Sequence, residues 1–115
     1  MLGASTNPER YAYLALERLI EHRYDAVPVN PGHTEILGRR CYASIGEVPA
    51  PIDTVTLYLG AARSEPLSAE ILAAKPRRIM FNPGAENPAL AAAAKAQGIE
   101  CLNACTLVML SAGTF

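Results

Sequence analysis

Short apolar runs alternate with segments of helical periodicity along this chain, and that order restricts its fold more than any other feature. In chain order the patterns predict a helix from Pro8, strands at 24–29 and 54–59, a helix at 64–74, a strand at 78–81, a helix at 88–97 and a strand at 99–102. Residues 106–110 suit either a helix or a strand. Strands that alternate with helices are typical of a parallel sheet covered on both faces. We therefore predict a doubly wound α/β domain of three layers, with a mainly parallel sheet of about five strands.

Asparagine–proline pairs mark the expected starts of two helices. Asn7-Pro8 and Asn87-Pro88 each offer an N-cap side chain followed by proline at the first helical position. Gly98 is placed to end the second of these helices. These signals predict helices that begin at residues 8 and 88.

The first strand of the predicted sheet is unusually short. A doubly wound sheet places its first strand centrally, and here only Met1 and Leu2 precede the turn at Gly3. A central strand of two residues would leave backbone groups of its neighbours unpaired. We therefore expect a first strand that is either very short or truncated.

Length, charge and cysteine content limit the classes of protein. A chain of 115 residues predicts one domain, 1–115, and a net charge of −1 gives no support for a nucleic-acid partner. No apolar run approaches the ~18 residues that a membrane span needs, and no secretion signal opens the chain. The three cysteines are odd in number and lack metal-type spacing, which favours a reduced, cytoplasmic setting.

Turn residues follow several strands at their carboxyl ends. Asn-Pro-Gly occurs at 30–32 and again at 82–84, and small residues follow at 3–5 and 60–62. Asparagine, proline and glycine form turns for separate steric reasons, so a plain turn is one interpretation. In open α/β sheets, however, ligands bind outside the carboxyl ends of the strands. The repeated turns therefore also predict a ligand-binding edge.

Individual residues in these turns indicate the kind of ligand. Small residues that run into a helix favour an anion at 3–7, although the full dinucleotide fingerprint is absent. Asn30 stands where an NAD-binding domain would have an acidic residue for the ribose, which disfavours ordinary NAD chemistry. His33 is either a solvent-facing side chain or a pH-sensitive phosphate contact. Arg63 is either a surface residue or a bidentate phosphate partner.

Cys105 is the thiol at a predicted strand end. A nucleophilic cysteine needs a nearby histidine or other positive charge, and the sequence gives no evidence that His33 lies beside it. A structural role is therefore favoured. An alternative is a small NAD(P)-binding enzyme, or a redox-responsive factor, that uses Cys105.

The chain resembles the small stand-alone CoA-binding proteins, whose fold is similar to the N-terminal CoA-binding domain of the succinyl-CoA synthetase alpha subunit. The resemblance rests on the run from "GASTNPERYAYLALERL" to "DTVTLYLG", with "RRIMFNPGAENPAL" and "GIECLNACTLVML". It implies a Rossmann-like domain that binds the nucleotide end of CoA or acyl-CoA. His33 stands where the synthetase has a CoA-contacting lysine, and Leu59-Gly60-Ala61 matches a segment that lies along CoA. The phosphorylated histidine motif of the synthetase is not found here.

We expect a non-catalytic CoA or acyl-CoA binding protein, since no acid, base and nucleophile trio is evident. Two alternatives stay open. The chain forms a homodimer, or it acts through an unidentified protein partner and its ligand loops are not used. The predicted cofactor-binding residues are Gly3, Ala4, Ser5, Thr6, Asn7, Arg10, Asn30, Pro31, His33, Leu59, Gly60, Ala61, Arg63 and Asn82.

Overall fold

The computed structural model describes residues 1–115 and has mixed α/β architecture. In chain order its elements are α1 (Tyr11–Glu21), β1 (Glu35–Ile36), β2 (Arg39–Arg40), β3 (Thr54–Leu57), α2 (Ala61–Ser64), α3 (Ser68–Ala73), β4 (Arg78–Phe81), α4 (Pro88–Ala96), β5 (Glu100–Asn103) and α5 (Thr106–Ala112). Single 3₁₀ turns lie at Ile45–Glu47 and Glu65–Leu67. None of the helices has the length and apolar character needed to cross a membrane.

The main sheet is parallel and has the order β3-β4-β5. Isolated parallel bridges extend it on the other side of β3, where Leu2 pairs with Leu57 and with Val29. Val29 also pairs with Tyr42, so the order of chain positions across the sheet is Tyr42, Val29, Leu2, β3, β4, β5. The direction in which the chain adds strands reverses between Leu2 and β3. The doubly wound α/β prediction is confirmed, but the sheet has three regular strands rather than about five.

Met1 and Leu2 occupy the central position of the sheet. Leu2 N–H donates to the Thr56 carbonyl at 3.0 Å, and Tyr58 N–H donates to the Leu2 carbonyl at 2.9 Å. On the other side Val29 N–H donates to the Met1 carbonyl at 2.9 Å. The first strand is very short, as expected, yet its few backbone groups pair with both neighbours.

Helices cover both faces of the sheet, because alternate side chains of each strand point to opposite faces. Val55, Leu57, Ile79 and Phe81 share the main apolar core with Ile71 of α3 and with Leu90 and Ala94 of α4. On the opposite face Thr56 and Met80 meet Thr106 of α5, and α5 packs against α1. The result is the three-layer arrangement that the alternation of elements predicts.

The two Asn-Pro signals have different outcomes. Asn87 caps α4 by accepting a hydrogen bond from Leu90 N–H at 3.1 Å, and the helix begins at Pro88 as predicted. The predicted start at Pro8 is wrong, because α1 begins at Tyr11. Ser5 and Asn7 side chains instead accept bonds from nearby backbone N–H groups, which holds the segment in local turns before the helix.

The predicted helix at 64–74 begins earlier and is interrupted. One helical turn forms at Ala61–Ser64, a 3₁₀ turn follows, and α3 begins at Ser68. Pro66 explains the interruption, since it has no N–H for the continuing helical ladder.

The predicted strand at 24–29 is wrong except at Val29, which forms bridges with Leu2 and Tyr42. The sequence patterns also missed the hairpin β1–β2, whose two turn residues are Leu37 (φ 52°) and Gly38 (φ 74°). A two-residue hairpin turn needs positive φ at both positions, and leucine rarely adopts it. The final segment, which suited either structure, is the helix α5.

Candidate functional site

Four loops lie at the carboxyl edge of the sheet, and we call this region the ligand edge. Loop 1 (residues 3–10) follows Leu2, loop 2 (30–34) follows Val29, loop 3 (58–60) follows β3 and loop 4 (82–87) follows β4. Loops 1 and 3 meet where the strand order reverses, which is the usual ligand position in open α/β sheets. The sequence therefore predicted the location of this edge.

Gly3 allows loop 1 to approach loop 3 closely. Its φ is +84°, and a Cβ atom added there would lie 3.1 Å from both the Tyr58 carbonyl carbon and Leu59 Cδ2. These distances are shorter than ordinary van der Waals contact. A side chain at residue 3 would displace loop 3. Glycine therefore allows loops 1 and 3 to lie in close contact at the point where the strand order reverses.

Asn30 joins loop 1 to loop 2. Its Nδ2 donates to the Ala4 carbonyl at 2.7 Å, and its Oδ1 accepts from Gly32 N–H at 2.7 Å. Ala4 itself is buried, with 1% of its surface exposed. Asn30 stands where an NAD-binding domain would have an acidic residue, and its side chain positions both loops. A carboxylate at this position could not donate a hydrogen bond to the Ala4 carbonyl.

The outer part of loop 1 is polar and exposed. Ser5 Oγ accepts from Asn7 N–H and Asn7 Oδ1 accepts from Glu9 N–H, each at 3.0 Å. Thr6 and Arg10 are exposed, and the Arg10 guanidinium has no ion pair. Loop 1 therefore presents small side chains, backbone and one free cation to the solvent above the switch point.

Loops 3 and 4 also lie side by side. A Cβ atom added to Gly60 would come within 3.9 Å of the Gly84 carbonyl oxygen, and Asn87 Nδ2 donates to Ser64 Oγ at 2.9 Å. Leu59 is buried, whereas Gly60, Ala61 and Arg63 are exposed. The guanidinium of Arg63, like that of Arg10, has no ion pair.

Asn82 lies beneath the ligand edge instead of facing solvent. It is 1% exposed, its Nδ2 donates to Thr56 Oγ1 at 2.8 Å and to the Leu57 carbonyl at 2.9 Å, and its Oδ1 accepts from Thr106 N–H at 2.9 Å. Its amide has no free donor, so the expected ligand contact is corrected to a role in joining β3, β4 and α5. The two Asn-Pro-Gly turns are therefore not equivalent.

Loop 2 opens onto a cavity of about 640 Å³. The exposed residues Pro31, Gly32 and His33 line it together with Arg40 and Tyr42. The Arg40 guanidinium lies 4.7 Å from the centre of the Tyr42 ring. Arg40 is not among the predicted ligand-binding residues, and it reaches this cavity through the β1–β2 hairpin, which the sequence patterns did not predict.

The three thiols are free, and Tyr58 is a half-buried residue of loop 3. Burial raises the pKa of Cys41 and of Cys101, which disfavours their thiolates. Burial also raises the pKa of Tyr58 to about 12. Cys105 is half-buried at the start of α5 and forms no disulfide. No three His, Cys, Asp or Glu side chains are grouped as metal ligands.

The order of the strands, its reversal between Leu2 and β3 and the hydrogen bonds between the loops define a Rossmann-like α/β domain with a ligand edge. A family model described as "CoA binding domain" matches residues 1–111. The chain belongs to this CoA binding domain family, which confirms the resemblance seen in the sequence.

Solved structures agree with this assignment. A crystal structure titled only as an uncharacterized protein is 45% identical, has a TM-score of 0.93 and is matched over 99% of this chain and 93% of that chain. A hypothetical protein from Pyrococcus horikoshii OT3 is 29% identical, with a TM-score of 0.91 over 96% of this chain and 79% of that one.

More distant similarity extends to a part of a larger enzyme. The dinucleotide-forming acetyl-coenzyme A synthetase 1 of Ca. Korarchaeum cryptofilum is 20% identical, with a TM-score of 0.76 over 90% of this chain and 24% of that chain. This similarity shows the fold alone. Among curated proteins, the uncharacterized protein YneT of Bacillus subtilis (strain 168) is 33% identical over 67 residues. The match spans 58% of this chain and about half, 47%, of YneT.

Proposed function

We propose that this chain binds CoA or an acyl-CoA as a non-catalytic module, with the nucleotide part of the ligand at the ligand edge. The observation that carries the proposal, beside family membership, is the Asn30 bridge between loops 1 and 2. This bridge fixes the backbone of loop 1, which lies where the strand order reverses. It also places an amide where the ribose site of an NAD-binding domain would need a carboxylate.

The diphosphate of the ligand would lie against loop 1. Backbone N–H groups, the Thr6 hydroxyl and the unpaired Arg10 are the groups there that suit an anion. Arg63 extends this cationic character to the other side of the switch point. The free arginines offer charge-assisted hydrogen bonds without first breaking an ion pair of their own.

The adenosine part would lie toward loop 2 and its cavity. Pro31 and His33 line this cavity, and so do Arg40 and Tyr42, which stack on each other. An aromatic ring and a guanidinium plane both suit a flat base. The edge supplies amides, hydroxyls and arginines, which position a ligand, and this supports a binding role over catalysis.

Side-by-side titration with CoA and NADPH tests the proposed function. Isothermal titration calorimetry on freshly purified protein is expected to show binding of CoA and much weaker binding of NADPH. Mass spectrometry of the same preparation would identify any ligand that copurifies. The absence of CoA binding at high micromolar ligand would overturn the proposal, and preferential binding of NADPH would favour the NAD(P) alternative.

Arg10→Ala is expected to weaken CoA binding about tenfold, because one charge-assisted contact to phosphate contributes roughly 1.5 kcal/mol. The matched control is Arg18→Ala on α1, the helix that follows Arg10, since Arg18 is exposed and pairs with Glu21 at 3.4 Å. The control should keep the affinity of the unmodified chain. Equal affinities of the two variants would show that Arg10 does not contact the ligand.

Cys105→Ser tests the redox alternative. Under the proposed function this nearly isosteric change should leave CoA affinity within about twofold and the response of binding to oxidant unchanged, because the thiol is not used. Calorimetry before and after mild peroxide treatment provides the measurement. Binding that becomes insensitive to peroxide only in the serine variant would instead support a redox role for Cys105.

A further inference from the structure

One arginine at the cavity beside loop 2 is free to bind an anion. Arg39 and Arg40 together form β2, yet their guanidinium groups have different surroundings. Arg39 lies 3.8 Å from the Asp25 carboxylate, whereas Arg40 makes no ion pair and lines the cavity. The two side chains point to opposite sides of the strand, because adjacent side chains of an extended chain alternate. Of this pair, Arg40 alone is presented to the cavity.

The ring of Tyr42 holds the Arg40 guanidinium in place. The guanidinium carbon lies 4.7 Å from the centre of that ring. Tyr42 is itself fixed at the ligand edge, since its N–H donates to the Pro28 carbonyl at 3.1 Å and its carbonyl accepts from Asn30 N–H at 2.9 Å. A guanidinium that lies over an aromatic ring keeps its N–H donors in its own plane, where an anion can reach them. Arg40 therefore offers positioned donors beside loop 2.

Two carboxylates share this cavity with Arg40. Glu35 stands opposite Arg40 in the register of the hairpin, and Glu47 also lines the cavity. Neither carboxylate forms an ion pair with the guanidinium, and Glu47 instead accepts a hydrogen bond from Ser44 Oγ at 3.2 Å. His33 is the other lining residue that can carry a positive charge. The cavity has no excess of positive charge, so an anion there depends on direct contact with Arg40.

We propose that Arg40 binds the phosphate monoester on the ribose of the ligand and makes this cavity selective for 3′-phosphoadenosine. The inference rests on the proposed function, in which the adenosine part of CoA lies toward loop 2. Arg10 and Arg63 belong to the diphosphate side of the ligand edge, and Arg40 is the free arginine at the adenosine side. A guanidinium binds phosphate through two parallel N–H···O bonds, and a terminal phosphate has three oxygens available for them.

The same chemistry occurs in a second class of ligand. NADP carries its phosphate monoester at the 2′ position of the adenosine ribose, and an arginine accommodates it in dinucleotide-binding domains. Membership in the CoA binding domain family favours the 3′-phosphate. Two pairs of ligands distinguish the sources, because CoA and dephospho-CoA differ only in the 3′-phosphate, and NADPH and NADH differ only in the 2′-phosphate.

Calorimetric titration with CoA and with dephospho-CoA tests the inference. The unmodified chain is expected to bind CoA at least about tenfold more tightly than dephospho-CoA. Arg40→Ala should lose about tenfold in affinity for CoA and less than about threefold for dephospho-CoA, since the second ligand has no phosphate for Arg40 to bind. Arg39→Ala is the matched control on the same strand, and it should bind both ligands as the unmodified chain does.

Glu35→Gln is expected to change the affinity in the opposite direction. The Glu35 carboxylate lines the same cavity and repels a bound phosphate. Loss of its charge should strengthen the binding of CoA by about two- to threefold and leave the binding of dephospho-CoA unchanged. The measured quantity is the ratio of the two dissociation constants, which a general effect on folding would not alter.

Equal affinity of the unmodified chain for CoA and dephospho-CoA would overturn the inference and leave the proposed function standing. Equal weakening of both ligands in Arg40→Ala would also overturn it, because Arg40 would then contact the base and not the phosphate. Preference for NADPH over NADH that depends on Arg40, without preference for CoA over dephospho-CoA, would overturn the assignment to the 3′-phosphate. If neither CoA nor dephospho-CoA binds, the proposed function itself fails, and the inference fails with it.

Discussion

Replacing Asn82 with alanine is expected to lower the free energy of unfolding by about 3 kcal/mol. The variant leaves the buried Thr106 N–H without a partner. It also removes one of two hydrogen bonds at the Leu57 carbonyl, which still accepts from the N–H of residue 82, and at the Thr56 hydroxyl, which still bonds Thr106 Oγ1. An unpaired buried polar group costs roughly 1–3 kcal/mol, and some relaxation of the three groups is expected. Urea denaturation followed by circular dichroism provides the measurement.

Asn103→Ala is the matched control for Asn82. Asn82 directly follows β4, and Asn103 is the last residue of the neighbouring strand β5, opposite Phe81. Asn103 is exposed and its side chain makes no hydrogen bond. Its replacement should change stability by less than about 0.5 kcal/mol. A loss below about 1 kcal/mol in Asn82→Ala would contradict the structural role.

The same variant separates a structural role of Asn82 from a ligand contact. If Asn82 only joins β3, β4 and α5, the folded fraction of Asn82→Ala should bind CoA with nearly unchanged affinity. Calorimetry at low temperature, where the variant remains folded, tests this. A tenfold loss of affinity in fully folded protein would restore Asn82 to the ligand-binding set.

Gly3→Ala is expected to have the second largest effect, on both stability and CoA binding. The positive φ of +84° costs a residue with a Cβ atom about 1 kcal/mol. The contact at 3.1 Å with the Tyr58 carbonyl carbon adds to this, because a backbone atom cannot rotate away. Together we expect a loss of about 2–3 kcal/mol and CoA affinity at least tenfold weaker, since loop 1 must move away from loop 3.

Gly98→Ala provides the control for backbone strain alone. Gly98 has a similar φ of +79°, but a Cβ atom there would have no neighbour within 4 Å. This variant should lose only about 1 kcal/mol and bind CoA normally. Denaturation midpoints and calorimetry on both variants give the comparison. If the two variants lose the same stability and bind CoA with the same affinity, the close approach of loops 1 and 3 contributes neither to stability nor to CoA binding.

The sequence correctly predicted the elements that depend only on residues close to them in the chain. The cap of α4 depends on Asn87 and Pro88, which are adjacent to the helix they begin, and the structure confirms both. The strand at 78–81 lies between β3 and β5, and its residues Ile79, Met80 and Phe81 are apolar. This short apolar run is sufficient to predict a buried strand. Local rules failed where side chains of loop 1 competed with the helix, as Ser5 and Asn7 do.

The candidate site was only partly predictable for the same reason. The sequence indicated that loops 1 to 4 share one edge, because all follow strands of a parallel sheet. It did not indicate that Asn30 reaches Ala4, 26 residues away, or that Asn82 turns inward to Thr106. Arg40 was overlooked because its position depends on the β1–β2 hairpin, whose turn has a leucine at positive φ.

By itself, the sequence determined the α/β class and, through its loop pattern, the CoA binding domain family, and it predicted the carboxyl edge as the place for a ligand. These follow from the order of apolar periodicities and from turn chemistry, which act over a few neighbouring residues. The tertiary structure alone decided which asparagine joins the loops and which lies in the core. Hydrogen bonds between distant segments depend on how the strands are brought together, and no local pattern in the chain records that.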